Sequence, residues 1–465
     1  MKRISLFTLT VLLLSPLAML HAANATQPSK PNILLIYMDN VGYGDLGCYG
    51  NPAVKTPRID RLARDGVRCT GFYVVASSCT PSRGALLTGR YPLRNGLGHQ
   101  LHRTENWTGI GLPQRERILP QYLKQAGYAT ACFGKWNIGF APGSRPTERG
   151  FDEFFGFRSG NINYFAHTYG GEYDMFLGTE RHKVEGYSTD LFADAATDFI
   201  RRQANKPWFV YLPFNAAHYV SSGNMAPGEK PEWQVPGKYL ERYGWPGNDP
   251  TETHRYLAVL TALDDAIGRV LDTVDDLKLR ERTLVMLISD NGAFMLPRCG
   301  LEVASNAPLR DGGTTCYEGG VRVPAIFRWP GKIKPGTESP EMLSHLDVLP
   351  LCLAAAGLPL PKDRVLDGCD PLPALAGKAK SPHKRLVFNF GSASGLREGS
   401  LKLVCSGAKR PWELYDLAAD SGESKNLAAE RAADVARLDA AFQDWLADVK
   451  RDASEPVPRP AEPKK

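Results

Sequence analysis

Four stretches of the chain share one design, a short apolar run that stops abruptly at a polar group: "NILLIYMDN" (residues 32–40), "YATACFGK" (128–135), "WFVYLPFNAAH" (208–218) and "TLVMLISDN" (283–291). Uninterrupted apolar runs of this length predict strands covered on both faces, because a half-exposed strand would alternate. Between them lie segments of helical periodicity, such as "TPRIDRLARDG" (56–66) and "HRYLAVLTALDDAIGRVLDTV" (254–274). The alternation predicts an α/β chain, a sheet flanked by helices. Open α/β sheets bind ligands beyond the carboxyl ends of their strands, where Asp39, Asn40, Lys135, His218, Asp290 and Asn291 would then collect. Any one of them is as readily an ordinary strand-ending residue; runs that all end this way favour a site.

The texture changes after residue 376. "KRLVFNF", "LREGSLKLVCS" and "WELYDL" read as short strands, and a helix follows over about 428–449. This predicts a large domain over 26–375 and a small α+β domain over 376–451. The proline-rich, charged end, 452–465, reads as a disordered tail. No internal repeat is present.

With 465 residues and 43% apolar content, the chain can bury a large core. Lys2 and Arg3, an apolar run over 4–20 and the small residues Ala23-Asn24-Ala25 predict a secretory signal peptide over 1–25, against the alternative of an uncleaved anchor. No later segment has the ~18 uninterrupted apolar residues of a spanning helix. The expectation is a periplasmic or secreted protein without stable membrane insertion. A formal charge of +6, with Lys and Arg scattered, argues against a nucleic-acid partner and suits an anionic small molecule or glycan. Nine cysteines is an odd count, which points to one thiol with its own chemistry. Setting Cys79 aside leaves Cys48, Cys69, Cys132, Cys299, Cys316, Cys352, Cys369 and Cys405, either paired in an order the sequence does not give or simply buried.

Cys79 stands in "SSCTPSRGALLTGR" (77–90). Pro81 suits the first helical position, so Cys79 would sit at the positive end of a helix with Arg83 one turn in. By spacing alone this reads as a thiol nucleophile with a depressed pKa, or as half of a disulfide.

With "CTPSRGALLTGR", "GYGDLGCYG", "GYATACFGKW", "RGFDEFFGF", "SDNG", "YEGGVRVP" and "WELYDLAAD", the chain resembles the type I sulfatases of the alkaline phosphatase superfamily over about residues 31–445. The resemblance implies an alkaline-phosphatase-like mixed sheet. It also implies that Cys79 is a precursor, oxidised to formylglycine by a separate maturation enzyme that recognises Cys79, Pro81 and Arg83. A hydrated aldehyde carries two hydroxyls on one carbon: one attacks sulfur and expels the alcohol, the other is deprotonated so that sulfate leaves. Asp39, Asn40, Asp290 and Asn291 match the family's metal site, and oxygen-only donors favour Ca²⁺ or Mg²⁺ over zinc. On their own such Asx pairs would as readily cap helices or make turns. Lys135 and His218 fall on positions that contact sulfate and the leaving oxygen, and Arg83 would hold the formylglycine.

The chain departs from the pattern at three positions. Asn40 replaces a common aspartate, though asparagine still offers a ligand oxygen. Asn137 stands in "GKWNIG" where histidine is usual, and asparagine cannot act as a base. Gly313 stands where a sulfate-binding lysine is usual. His99, His102, Arg298 and Arg310 are candidates to compensate. The sequence therefore predicts an exported hydrolase of a sulfate monoester, on a sulfated carbohydrate or aryl sulfate. The alternatives are a phosphoester or phosphonate ester hydrolase on the same core, or a sulfated-glycan binding protein with reduced turnover. Specificity would lie in loops 93–114 and 219–250, where Trp107, Trp233 and Trp245 suit stacking on a sugar or a structural role equally.

Overall fold

The computed structural model describes residues 30–102, 111–225, 228–230, 232–245, 250–295, 302–408 and 410–456. The signal-peptide segment, Trp107, Arg298 and Cys299 lie outside these.

One sheet organises the larger part of the chain. Its strands, in chain order, are β1 (Asn32–Met38), β2 (Val67–Cys69), β3 (Ala129–Lys135), β4 (Glu153–Phe157), β5 (Phe176–Leu177), β6 (Glu180–Arg181), β7 (Trp208–Pro213), β8 (Thr283–Ser289), β9 (Ala325–Arg328) and β10 (Thr337–Ser339). Their spatial order is β10-β2-β9-β8-β1-β7-β3-β4-β5-β6. The four apolar runs of the sequence are the neighbours β8, β1, β7 and β3, all parallel. Antiparallel pairs towards both edges make the sheet mixed.

The uninterrupted runs follow from burial on both faces. In β1, Ile33, Leu35 and Tyr37 enter one core while Leu34, Ile36 and Met38 enter the other. The second core is covered by the helices α1 (Pro57–Arg64), α3 (Ser188–Arg202) and α4 (Glu252–Asp276), and the helix α2 (Cys79–Thr88) sits wholly buried on the other side.

The smaller part is a four-stranded antiparallel sheet, β11 (Arg385–Phe390), β12 (Ala393–Glu398), β13 (Leu401–Cys405) and β14 (Glu413–Asp416), with the helix α5 (Ala432–Arg451) packed on it. This cluster also takes in Ala85, Tyr91 and Leu346 of the larger part. A buried ion cluster adds to that contact: Lys402 Nζ lies 2.8 Å from Glu318 and 3.1 Å from Glu423.

Residues 452–454, expected to belong to a disordered tail, are held in place. Asp452 accepts from Arg90 and Arg115 at 3.0 and 2.8 Å, and the Ser454 amide donates to Arg94 O at 2.8 Å. Ser454 is 1% exposed, because its backbone and hydroxyl satisfy polar groups of the loop starting at Tyr91 and of Glu116. All eight described cysteines are free thiols, so none of them forms the disulfide that an exported chain suggested.

Candidate active site

The polar residues that end the four parallel strands meet at one edge of the sheet. Asp39 and Asn40 follow β1, Lys135 is the last residue of β3, and Asp290 and Asn291 follow β8. His218 lies in the turn beyond β7, held by hydrogen bonds from Asp39 N to Ala216 O (2.9 Å) and from Ala217 N to Asp39 O (2.8 Å). Cys79 opens α2, two residues earlier than the sequence placed the start. The N–H groups of the first turn have no partner within the helix, so Pro81 is tolerated in its third position as well.

The side chains that converge there are buried except for His218, which is part-exposed. Cys79 Sγ is 3.5 Å from Asp39 Oδ1, and Lys135 Nζ is 2.6 Å from Asp39 Oδ2. Arg83 reaches up one turn of α2 to Asp290 Oδ2 at 2.7 Å and donates to Lys135 O at 3.3 Å. The Asn40 amide, in a left-handed conformation (φ 59°) that asparagine tolerates, donates to Asp290 Oδ1 at 3.0 Å. Asn291 Nδ2 donates to Asn40 Oδ1 at 2.6 Å, which leaves Asn291 Oδ1 buried without a partner. Two glycines let the motifs behind this edge touch: a Cβ on Gly292 would collide with Gly319 O, so "SDNG" and "EGG" pack backbone to backbone.

Burial dominates the electrostatics. It pushes the Cys79 thiol above its ordinary pKa; Lys135 and Arg83 oppose this, but Asp39 and Asp290 add to it. The expectation of a depressed thiol pKa is thereby overturned, since desolvation of a fully enclosed thiolate outweighs two nearby cations. Burial, then the charge of Asp39, also raises Asp290. Lys135 loses solvation too, yet Asp39 beside it holds its pKa above the usual value. His218 is pushed down to about 4, by burial first and by Lys135 next. Its Nδ1 lies 2.8 Å from Tyr219 O; a carbonyl only accepts, so Nδ1 carries the hydrogen and Nε2 presents its lone pair. Asp39, Cys79 and His218 offer ligand atoms within 4.8 Å of one another. Alongside stand Asp290, the Asn40 carbonyl and the orphaned Asn291 Oδ1, and it is these oxygens with those of Asp39, not the thiol or the imidazole, that suit a hard divalent cation.

The sulfatase family model matches residues 31–358, and the model of the C-terminal part of N-sulphoglucosamine sulphohydrolase matches residues 314–452. This chain belongs to the sulfatase family. Dog N-acetylgalactosamine-6-sulfatase is 37% identical to it over 395 residues, 79% of this chain and 70% of that protein. Human arylsulfatase A is 34% identical over 473 residues, covering 87% and 85%. The crystal structure of Ps i-CgsB in complex with k-i-k-neocarrahexaose superposes with a TM-score of 0.81 at 28% identity, covering 92% of this chain and 94% of that one. The chain is thus a sulfuric ester hydrolase.

This sulfatase packs the surroundings of Asn137 and Gly313 to suit those two departures. Asn137 has φ 54°, and its Oδ1 accepts from Thr80 Oγ1 at 3.0 Å and Gln100 Nε2 at 3.1 Å. Its Nδ2 is buried and unpartnered. Gln100 also accepts from Thr80 N at 3.0 Å and from Ser78 Oγ at 2.9 Å, capping the first turn of α2 from a distant loop. No motif or periodic pattern marks Gln100. At Gly313 a Cβ would stand 2.9 Å from Phe294 Cδ1 and 3.0 Å from Gly292 O, so an aromatic ring fills the space into which a side chain from 313 would grow. Arg310 does not compensate: it lies 3.9 Å over the Tyr317 ring and donates to Tyr415 OH and Glu423 O. His99 is buried and His102 exposed, and neither joins the Asp39–Cys79–His218 group. Trp245 is sandwiched between Tyr243 (4.2 Å) and His254 (4.0 Å), which leaves no ring face for a sugar. Trp233 is buried between Tyr219 and Tyr256, its indole N–H bonded to Ala217 O at 2.9 Å.

Proposed function

We propose that this sulfatase hydrolyses a sulfate monoester of a carbohydrate or aryl alcohol through a formylglycine made from Cys79, with one Ca²⁺ or Mg²⁺ held by Asp39, Asn40, Asp290 and Asn291. The observation that carries this reading is the buried meeting of Cys79 Sγ, Asp39 and Lys135, at 3.5 and 2.6 Å, beside Arg83. A thiol whose burial resists ionisation is a poor nucleophile, which favours its conversion to an oxygen nucleophile. The cation, when bound, neutralises sulfate charge and orients the attacking hydroxyl.

The chain's own residues supply the rest. Lys135 places a positive charge beside the reacting sulfate, and Arg83 fixes Asp290 against α2. His218 Nε2 stands ready to take a proton and, once charged, to return it to the departing oxygen. Asn137 Nδ2, unpartnered in the structure, is able to donate but not to accept. Export to the periplasm or beyond completes the reading; it is supported by the amino-terminal pattern, and no described helix is long and apolar enough to cross a membrane. The partners are then a sulfated small molecule or glycan and the formylglycine-generating enzyme.

The test is mass spectrometry of the tryptic peptide spanning residues 69–83, with an aldehyde-reactive probe, on protein made together with a maturation enzyme. An aldehyde at Cys79, lost together with turnover in Cys79→Ala, is expected. An unmodified thiol in an active protein would overturn the mechanism.

A further inference from the structure

Next to the reacting groups lies a small chamber that the family motifs do not describe. His218 and Asn40 line it together with Phe294, Trp233, Tyr219 and Tyr256, around a cavity of about 250 Å³. Ligand pockets for drug-sized molecules run from about 300 to 1,000 Å³, so this one holds a single ring. Phe294 stands 6.4 Å from the His218 ring, centroid to centroid, and is the same ring that occupies the space in front of Gly313.

Ser221 also lines the chamber, but several polar groups of its wall are already engaged. Trp233 N–H is spent on Ala217 O, Tyr256 OH donates to Asp45 Oδ2 at 2.5 Å, and Asn40 Oδ1 accepts from Asn291. Among the described residues that line the chamber there is no Lys, Arg, Asp or Glu. A second sulfate or a carboxylate placed against Trp233, Tyr219 and Phe294, on the side away from the proposed cation ligand Asn40, would lose its water and meet no charged side chain among the described lining residues, a large cost for any ion. An uncharged ring would lose little and gain contact with aromatic faces.

We propose that this chamber is the leaving-group site and that it selects an uncharged, single-ring alcohol carrying one sulfate over a polyanionic one, with Phe294 as the discriminating residue. The proposal rests on the sulfatase reading above. Its logic is the chemistry of the wall: aromatic rings, with no charged side chain among the described lining residues, favour an uncharged ring over an anion.

The experiment compares phenyl sulfate with 3-carboxyphenyl sulfate, whose leaving groups are similar in chemical reactivity. Wild-type enzyme should favour phenyl sulfate by at least about tenfold in kcat/KM, carried by KM, and Phe294→Arg should bring the ratio within about twofold or reverse it. Equal kcat/KM values for the two esters, or a ratio unmoved in Phe294→Arg, overturn the proposal. Should Phe294→Arg not fold, Phe294→Gln keeps the volume and should narrow the preference in the same direction; an unmoved ratio there overturns it equally. Calorimetric binding of both esters to Cys79→Ala reads the chamber without turnover. The same order of affinity is expected even if neither ester is hydrolysed, an outcome that would count against the catalytic reading alone. Equal affinities, or no binding of either ester, overturn the assignment of the chamber.

Discussion

Arg83 shows how much one residue carries. Its guanidinium is fully buried and its principal partner is Asp290 at 2.7 Å, with Asp39 farther off at 3.8 Å. Removing one member of a buried pair typically costs about 3–5 kcal/mol, because the other is left charged and dry. Asp290→Ala should therefore lower the urea midpoint sharply and, through lost ligand oxygens, empty the divalent site; elemental analysis and chemical unfolding together check this. Asp290→Asn, which keeps an acceptor for the Asn40 amide, should fall between the two. Asn137 is the opposite case, a residue defined by what it lacks. If no group replaces the missing base, sulfate release limits turnover, and Asn137→His should raise the steady rate more than the initial burst, by up to about 10² to 10⁴. The left-handed backbone at 137 suits histidine as well as asparagine, and a ring nitrogen can accept from Thr80 as Oδ1 does now. Rapid-quench kinetics separates the two phases; a burst-free, fast wild-type enzyme would show that another group already serves.

At the level of elements, what was legible is the part governed by burial. β8, β1, β7 and β3 announced themselves because both their faces are covered, and their last residues pointed to the sheet edge where the site lies. The small C-terminal sheet was visible in "LREGSLKLVCS", which folds as the hairpin of β12 and β13 about Gly399 and Ser400. The start of α2 was misplaced because proline marks the first turn of a helix without fixing the position within it. Gln100 and Phe294 left no trace in any periodic pattern, since each enters from an irregular loop and acts through one specific contact across the fold. The same holds for Trp245, whose stacked neighbours are unremarkable in the sequence. The Gly313→Lys change illustrates the gap: adding a cation for sulfate is sensible on paper, but the new Cβ would first have to move Phe294. Gly313→Lys alone should therefore destabilise the protein, and Gly313→Lys with Phe294→Ala should recover stability; thermal unfolding of the two variants decides it.

Over the whole molecule, the two sheets are joined by a cluster of one ammonium and two carboxylates at Lys402, Glu318 and Glu423. Burial, with Lys402 opposing and Glu318 adding, raises Glu423 from about 4.5 to about 7. A carboxyl that holds its proton more tightly when folded contributes stability that is full below about pH 4.5 and is lost as pH rises through about 7. Glu423→Gln should flatten that slope between pH 4.5 and 7 while keeping an acceptor for the Glu318 amide, which thermal unfolding across pH will show. The enclosure of α2 bears on time as well as on space. All ten of its residues are buried, Cys79 is 4% exposed, and Ser454, distant from it in the chain, fastens through Arg94 O the stretch that runs on to Gln100. On the proposed reading, a maturation enzyme would reach Cys79 only before α2 is enclosed. Folded, unmodified protein should resist conversion that an unfolded or nascent chain accepts, so the fraction of active molecules in a preparation records the race between modification and folding rather than any property of the finished enzyme.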